Sequence, residues 1–316
     1  MKILIIDEVH DSLLTLFGDA GWSFRYEPDW KRSDILMLIA NFEGLVVRSK
    51  TPIDAALITA AKQLKFIARA GAGLDLIDVD AVQSRNIQLF AANEGNRDAV
   101  AEHTVGLILG LMANIAKANR AIRRGEWDRE ANRGYELMGK TVAIVGYGFN
   151  GRATAQRLSG FGCKVLAYDK YLTNYTDQYA TEATMNQIFD EADILSLHIP
   201  LTDDTKLMVN SDFINQFKKP FYFINVSRGE IVSLSAIVQG LENGKIKGAG
   251  LDVLENEKIS KLSVSEQIDF DYLCNSDRII LTPHIAGWTF ESYRKINEVL
   301  FRQIDDYIKK QISSCL

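Results

Sequence analysis

Three ionisable side chains in the second half of the sequence could together bind a carboxylate and transfer a proton. Arg228, Glu257 and His284 each lie shortly after an apolar run. Arginine is always charged and can bind a carboxylate through two parallel hydrogen bonds. Histidine exchanges a proton near neutral pH, and a neighbouring carboxylate favours its protonated form. Singly they could be a surface arginine, a solvated glutamate and a capping histidine, but together they provide what hydride transfer to a ketone requires.

A glycine-rich segment supplies a candidate dinucleotide site. Gly146-Tyr147-Gly148-Phe149-Asn150-Gly151 follows the apolar run 141–145 and opens a helix-like segment, and Asp169 closes the next apolar run. Glycines allow a tight turn and close approach of a pyrophosphate to a helix N-terminus. Asp169 would accept hydrogen bonds from the ribose and repel a 2′-phosphate. An ordinary glycine turn is the alternative, but the strand, helix and acid around the motif favour an NAD site.

These residues need elements to position them, and the apolar runs supply two series of strands. The first comprises residues 3–6, 44–47, 65–68 and 87–91; the second comprises 141–145, 163–168, 193–197, 221–226, 246–251 and 279–282. Strands alternating with helix-like segments indicate parallel, doubly wound sheets. Ligands bind beyond the carboxyl ends of such strands, so Arg228, Glu257 and His284 are expected to converge.

The helix-like segments set the expected domain boundaries. Residues 98–124 have a helical apolar period and are predicted to form one long bridging helix. Residues 289–312 form a last helix that returns to the first domain, and the polar stretch 258–271 reads as an exposed loop or short helix. We therefore predict an α/β protein with two domains and a cleft between them: residues 1–95, completed by 289–316, and residues 96–288.

Composition excludes several classes of function. The net charge is -5 and the pI is about 5.5, which argues against a nucleic-acid-binding surface. The longest apolar runs are shorter than a membrane span, and no signal peptide precedes the first strand, so a cytoplasmic location is expected. Cys163, Cys274 and Cys315 have unrelated spacings that suggest free thiols, and no metal site is predicted.

Further motifs follow one another in a fixed order. They are Arg69-Ala70-Gly71-Ala72-Gly73-Leu74-Asp75, Asn96 with 100–103, the glycine-rich segment, 198–202 with Thr205, 225–229, 248–253 with Glu257, and 282–287. In this order they resemble the D-isomer-specific 2-hydroxyacid dehydrogenase family over nearly the whole chain. The resemblance implies a flavodoxin-like substrate domain, a Rossmann NAD-binding domain and a small-molecule substrate.

The resemblance also implies residue roles. Arg228, Glu257 and His284 match the family's catalytic arginine, the glutamate paired with histidine, and the acid/base histidine. The positions expected at the dinucleotide are Gly146, Gly148, Phe149, Asn150, Gly151, Asp169, His198, Pro200, Thr205, Val226, Ser227, Asp252 and Gly287. Ala72, Gly73 and Asn96 are expected at the substrate, and His103 is expected to be a satisfied core residue. A homodimer with residues 98–124 and 127–135 in its interface is also implied.

Within the family the chain is most similar to phosphoglycerate-oxidising members, on the segment Val46-Val47-Arg48-Ser49-Lys50-Thr51. Arg48 and Lys50 would supply the cations that a phosphorylated substrate needs, unless they are strand-end residues facing solvent. The alternatives are a glyoxylate/hydroxypyruvate reductase, a D-lactate dehydrogenase or, in another class, an NAD-sensing corepressor-like protein. The chain ends soon after its last helix, so feedback through a C-terminal regulatory domain is not expected.

Overall fold

The computed structural model describes residues 1–313, with side chains through residue 311. Its contacts divide the chain into two compact units. The first comprises residues 1–97 and the chain from Trp288 onward, and the second is Asp98–Gly287. Cys163 and Cys274 are free thiols, whereas Cys315 lies outside the described residues.

The first unit is built on a five-stranded sheet. Its elements are β1 (Lys2–Ile5), α1 (Asp11–Asp19), β2 (Ser23–Tyr26), α2 (Arg32–Leu38), β3 (Gly44–Val47), α3 (Ala55–Ala60), β4 (Phe66–Arg69), α4 (Val79–Ser84), β5 (Gln88–Ala91) and α12 (Phe290–Ser313). The strands are parallel in the order β2-β1-β3-β4-β5. This is the flavodoxin-like order, as expected from the sequence.

Both faces of this sheet are buried, which explains why its strands are continuously apolar. Ile3 and Ile5 pack on one face with α1 and α12, while Leu4 and Ile6 pack on the other with α2, α3 and α4. The residues of α12 in the first of these clusters are Ile296, Val299, Leu300 and Ile304. Helix α12 is therefore an integral part of the first unit's core.

The second unit is built on a seven-stranded sheet. Its elements are α5 (Arg97–Met112), α6 (Ile115–Arg123), β6 (Thr141–Val145), α7 (Phe149–Leu158), β7 (Lys164–Tyr168), β8 (Thr181–Glu182), α8 (Met185–Glu191), β9 (Ile194–Leu197), α9 (Ser211–Asn215), β10 (Phe221–Asn225), α10 (Leu234–Glu242), β11 (Ile246–Leu251), α11 (Val264–Asn275) and β12 (Ile279–Leu281). The strand order is β12-β11-β10-β9-β6-β7-β8, all parallel. The strand order reverses between β6 and β9, because β7 and β8 are added on one side of β6 and β9 to β12 on the other, as in a Rossmann fold.

The structure corrects two details of the sequence prediction and decides a third. Strands β2 and β8 were not expected, because both lie at sheet edges and have little apolar character. The predicted single helix over 98–124 is two helices, since Asn114 adopts a left-handed conformation (φ 55°) between α5 and α6. Of the two alternatives for the polar stretch 258–271, a loop or a short helix, the structure has a helix from Val264 onward, α11, which begins with a capping box between Ser263 and Glu266.

Among residues 1–313 no single helix is long and apolar enough to cross a membrane; α5 and α6 reach that length and composition only as a pair, which is bent by 62°.

Candidate active site

The glycine-rich segment forms the turn between β6 and α7. Gly146 has φ 95°, a value that favours glycine, and a Cβ there would lie 2.4 Å from the carbonyl oxygen of His198. A Cβ at Gly151 would lie 1.9 Å from the carbonyl oxygen of Gly146. Gly148, which caps α7, faces open space instead. Gly146 and Gly151 are therefore required by close contacts within the protein. Gly148 instead leaves room at the N-terminus of α7 that a pyrophosphate can occupy.

We expect Gly151→Ala to lower the thermal unfolding temperature of the apo protein by roughly 2–10 °C, because the new Cβ forces the turn apart at a cost of about 1–3 kcal/mol. Gly148→Ala should leave that temperature unchanged but weaken NADH binding, since its Cβ enters the open space. Gly160→Ala, whose Cβ also meets nothing within 4 Å, is the matched control. Calorimetry and NADH fluorescence titration make the measurements, and unaltered NADH affinity in Gly148→Ala would contradict this placement of the dinucleotide.

Asp169, directly after β7, is anchored by backbone amides. Its Oδ2 accepts a hydrogen bond from the Tyr147 N–H (2.8 Å), and its Oδ1 accepts from the N–H groups of Tyr171 (2.9 Å) and Leu172 (3.1 Å). A carboxylate has further lone pairs, so ribose hydroxyls can still bind. The neighbouring Lys170 forms an ion pair with Asp204 at 2.7 Å. The carboxylate that would repel a 2′-phosphate is thus fixed beside the glycine turn.

Tyr147 ties the glycine turn to the loop that follows β7. It is buried, and its hydroxyl donates to Asp177 Oδ1 at 2.9 Å. Burial, followed by the hydrogen bond to Asp177, raises the pKa of the Tyr147 phenol. Since the phenol stays protonated, this link holds at all physiological pH values.

The expected dinucleotide residues after β9 and β10 are joined by hydrogen bonds. Ser227 Oγ donates to the Leu197 carbonyl (2.7 Å) and accepts from the Ile199 N–H (3.2 Å). Thr205 Oγ1 donates to the Pro200 carbonyl at 2.8 Å, which closes the loop between them. Val226 lies buried beside Ser227. The ends of two adjacent strands therefore form one rigid edge.

His198 is suited to shape rather than proton transfer. Its Nε2 lies 2.9 Å from Ser196 Oγ, and its Nδ1 is buried with no hydrogen-bond partner among the described residues. Burial lowers the pKa of His198 to about 3, so the ring is neutral at physiological pH. Because the folded pKa lies below the ordinary value of 6.5, its contribution to stability is complete above that pH and is lost as the pH falls towards 3.

Arg228 lies at the carboxyl end of β10. Asn225 Nδ2 donates to the Arg228 carbonyl at 2.9 Å, and one guanidinium nitrogen of Arg228 donates to the Ser227 carbonyl at 2.8 Å. A Cβ on the next residue, Gly229, would lie 1.7 Å from the Leu254 carbonyl oxygen. The backbone that carries the guanidinium is thus held on both sides.

His284 and Glu257 form a hydrogen-bonded ion-pair geometry. Nδ1 of His284 lies 2.9 Å from Oε1 of Glu257 and 3.2 Å from its Oε2. The two side chains are 48% and 49% exposed, and they border a cavity of about 340 Å³ whose walls include Leu254, Ile259 and Phe270. Because Glu257 occupies Nδ1, Nε2 is the nitrogen that can exchange a proton with a ligand.

The backbone of His284 is strained, and Asp252 holds it in place. His284 has φ 55°, and its N–H donates to the Asp252 carbonyl at 2.7 Å. The buried Asp252 carboxylate accepts hydrogen bonds from the Thr282 hydroxyl (2.5 Å) and the N–H groups of Ile285 (2.9 Å) and Ala286 (2.8 Å). Asp252, expected at the dinucleotide, therefore anchors the loop that carries His284 and leads to Gly287.

His103 of α5 completes this network. Its Nε2 lies 3.0 Å from Thr282 Oγ1 and 3.6 Å from Asp252 Oδ1. The sequence suggested a core histidine, whereas the side chain is 21% exposed and therefore only partly buried. A polar contact thus connects α5 to the His284 loop within the second unit.

In the first unit, Arg69 braces the loop that contains Ala72 and Gly73. Its side chain donates to the carbonyls of Gly73 (2.9 Å) and Ala70 (2.7 Å). Within the described residues the N–H groups of Ala72 and Gly73 have no hydrogen-bond acceptor. Asn96 lies at the start of α5 and has a buried Oδ1 without a hydrogen-bond partner in the same part of the chain. The loop and Asn96 therefore keep polar groups available for a ligand.

Arg48 and Lys50 follow β3 and are positioned by Asp7. The buried Asp7 carboxylate accepts hydrogen bonds from the N–H groups of Arg48 and Lys50. The Lys50 ammonium donates to the carbonyls of Pro28 and Trp30 (3.1 Å to the latter) and lies 3.9 Å from Asp7 Oδ1. These protein acceptors fix the position of the Lys50 ammonium after β3.

Within the second unit, the structure brings the glycine turn, Asp169, the His198 edge, Arg228 and the His284–Glu257 pair to the carboxyl ends of the strands. The sequence did not assign a role to Asp7, Tyr147 or Asp177. An acidic residue directly after the apolar run 3–6 was the one available signal for Asp7. Tyr147 and Asp177 act through a contact between distant segments, which no local pattern records.

A Rossmann sheet with this glycine turn, an acidic strand end, a strand-end arginine and a histidine–glutamate pair defines a class, the nicotinamide-dependent dehydrogenases. Residues 105–286 match the family model "D-isomer specific 2-hydroxyacid dehydrogenase, NAD binding domain". The chain belongs to the D-isomer specific 2-hydroxyacid dehydrogenase family and carries its NAD-binding domain. The resemblance seen in the sequence is thereby confirmed.

Curated relatives with different names are similar to this chain. It is 34% identical to a hydroxypyruvate reductase of Thermotoga maritima, over 87% of each chain. It is 31% identical to a D-3-phosphoglycerate dehydrogenase of Methanocaldococcus jannaschii, over 99% of this chain but 58% of that relative. Among solved structures, a glyoxylate reductase from Paecilomyes thermophila is 25% identical with a TM-score of 0.86, covering 98% of this chain and 96% of that one. These names differ in substrate, so the family does not decide among them.

Proposed function

We propose that this protein interconverts a D-2-hydroxyacid and its 2-oxoacid with NAD, and that 3-phosphoglycerate and 3-phosphohydroxypyruvate are its substrate pair, as in serine biosynthesis. The observation that carries the reaction is the 2.9 Å contact of Glu257 with His284 Nδ1, which directs Nε2 to the ligand. Arg48, beside the first unit's substrate loop, supports the phosphorylated substrate. Its guanidinium donates no hydrogen bond to the described residues.

The glycine turn, Asp169 and the His198 edge fit NAD, because Gly148 leaves open space at the N-terminus of α7. Bound NAD supplies the acceptor for a hydride. Arg228 binds the C1 carboxylate and polarises the reacting oxygen, and the Ala72 and Gly73 amides provide further donors for the carboxylate. His284 Nε2 takes the hydroxyl proton while the C2 hydrogen leaves with its electron pair, so that the C–O single bond becomes a carbonyl.

Glu257 stabilises the imidazolium that His284 becomes, because its carboxylate faces Nδ1. In the reverse direction the same imidazolium returns its proton to the carbonyl oxygen as hydride arrives at C2. The pair therefore serves both directions without a second acid.

The test is NADH oxidation, followed at 340 nm, against 3-phosphohydroxypyruvate, hydroxypyruvate, glyoxylate and pyruvate. We expect the highest kcat/KM with the phosphorylated ketone and much weaker activity with NADPH. A preference for hydroxypyruvate or glyoxylate would reject the phosphoglycerate assignment and favour a reductase, the name that the Thermotoga relative carries. Binding of NADH without turnover on any 2-oxoacid would reject the enzyme assignment.

We further propose a homodimer formed through residues 98–124 and 127–135. The surface there exposes large apolar side chains: Ile115 (58%), Ile122 (52%), Trp127 (83%) and Tyr135 (64%). Several large apolar side chains exposed on one segment favour an interface there. A cytoplasmic location is proposed on the free thiols Cys163 and Cys274.

A further inference from the structure

Arg48 lies where the first unit's sheet offers a ligand site. In the order β2-β1-β3-β4-β5 all strands are parallel, but β2 is added on one side of β1 while β3, β4 and β5 are added on the other, so the strand order reverses between β1 and β3. Ligands bind in the crevice at such a switch point, beyond the carboxyl ends of the strands. Asp7 follows β1 by two residues, and Arg48 directly follows β3. The Asp7 carboxylate, bonded to the Arg48 N–H, fixes the backbone of the arginine there.

Two aromatic rings fix the guanidinium itself. Cζ of Arg48 lies 4.3 Å from the centroid of the Trp288 ring and 5.2 Å from that of Tyr293. The two rings are 5.0 Å apart at 50°. Thr289, the residue between Trp288 and α12, exchanges hydrogen bonds with Ser292, which fixes the start of that helix. The stack is therefore built from segments that are each held in place.

This stack leaves the hydrogen-bonding edges of the guanidinium unused. Stacking on an aromatic face employs the plane of the group, whereas its five N–H donors lie along the rim. None of these donors bonds to a described residue, although Arg48 is only partly exposed. Lys50, by contrast, is held by the carbonyls of Pro28 and Trp30. Arg48 is thus the cation of this segment that can bind an anion through two parallel hydrogen bonds.

We propose that Trp288 and Tyr293 preorganise Arg48 as the receptor for a second anionic group of the substrate, and that Trp288 thereby determines which 2-oxoacids are accepted. The inference rests on the proposed dehydrogenase function and deepens it. A phosphate and a carboxylate share the required chemistry, since both accept two parallel hydrogen bonds. Trp288 is a positioning residue, and Lys50 holds the loop instead of the ligand.

The test compares kcat and KM of the full-length enzyme with those of Trp288→Ala and Trp288→Phe, using NADH and three ketones. The substrates are 3-phosphohydroxypyruvate, which carries a phosphate, 2-oxoglutarate, which carries a second carboxylate, and glyoxylate, which has no second anionic group. We expect Trp288→Ala to lower kcat/KM roughly 3- to 30-fold for the preferred doubly anionic ketone, as the usual strength of cation–π contacts implies. The loss should appear in KM. Glyoxylate kinetics should not change, and Trp288→Phe should recover most of the loss.

Phe290→Ala is the matched control, since it removes a neighbouring aromatic ring that is 95% exposed. Arg25→Ala removes another guanidinium stacked on a tryptophan, Trp30, at 4.5 Å. Neither should alter the ranking of the ketones. Equal losses on glyoxylate, or none on any ketone, would overturn the proposal. A parent enzyme that prefers glyoxylate would also overturn it while leaving the dehydrogenase function intact, whereas inactivity on all three would refute that function itself.

Discussion

Replacing His284 with asparagine lowers turnover by roughly 10²- to 10⁴-fold, the usual contribution of general acid–base catalysis, and leaves NADH affinity nearly unchanged. Asparagine is the suitable replacement because residue 284 has φ 55°, a conformation that asparagine tolerates. His284→Ala should lose turnover to the same extent and also lower the unfolding temperature, since alanine resists that backbone conformation. Steady-state kinetics and NADH titration test both variants, and turnover close to that of the parent enzyme would mean that another group carries the proton.

The variant Glu257→Gln tests whether the Glu257 carboxylate assists the proton transfer that His284 carries out. The amide keeps a hydrogen bond to Nδ1 but removes the charge that favours the imidazolium. Oxidation of the hydroxyacid needs neutral histidine and should then persist to lower pH. Reduction needs the imidazolium and should decline at lower pH than in the parent enzyme. A pH profile of kcat/KM that does not move in either direction would contradict the role given to Glu257.

Arg228→Lys should lower kcat/KM by about 10²- to 10³-fold for every 2-oxoacid, because lysine keeps the charge but not the fork that binds a carboxylate and polarises the ketone oxygen. Arg278→Lys is a matched control in the same unit, since Arg278 also donates to a backbone carbonyl, that of Leu241, at 2.7 Å. The kinetics should show uniform loss across substrates in the first variant and none in the second. A loss of kcat/KM confined to phosphorylated substrates would mean that another residue, and not Arg228, binds the carboxylate.

Chemistry that depends on strand ends and on a short motif could be predicted from the sequence. The glycine turn could be recognised because close backbone contacts and the approach of a ligand require glycine at fixed spacing. The short contact that a Cβ at Gly151 would make shows this requirement. Likewise, continuous apolar runs predicted both sheets, because their strands are buried on two faces. Edge strands β2 and β8 lack that burial and therefore lack the pattern.

What the sequence could not supply is which distant residue holds which loop. Asp252 is expected at the dinucleotide, and its carboxylate also accepts three hydrogen bonds from the segment 282–286, which the sequence did not predict. Lys50 is expected at the substrate phosphate, and its ammonium also donates to the backbone carbonyls of Pro28 and Trp30. Such partners are chosen by tertiary packing, which local spacing does not encode. The sequence therefore predicts residue types at the site better than the contacts that orient them.

The place of α12 has a consequence for the order in which the nascent chain folds. One face of β1 packs against Ile296, Val299, Leu300 and Ile304, so this strand meets its α12 partners only after residues 98–287 have been synthesised. Residues 98–287 form their unit from one contiguous stretch and can complete it earlier. Domains usually fold in the order in which they leave the ribosome, N-terminal first. Here the first unit begins to emerge before the second but completes its core after it. One face of its apolar sheet therefore lacks α12 while the second unit is being synthesised.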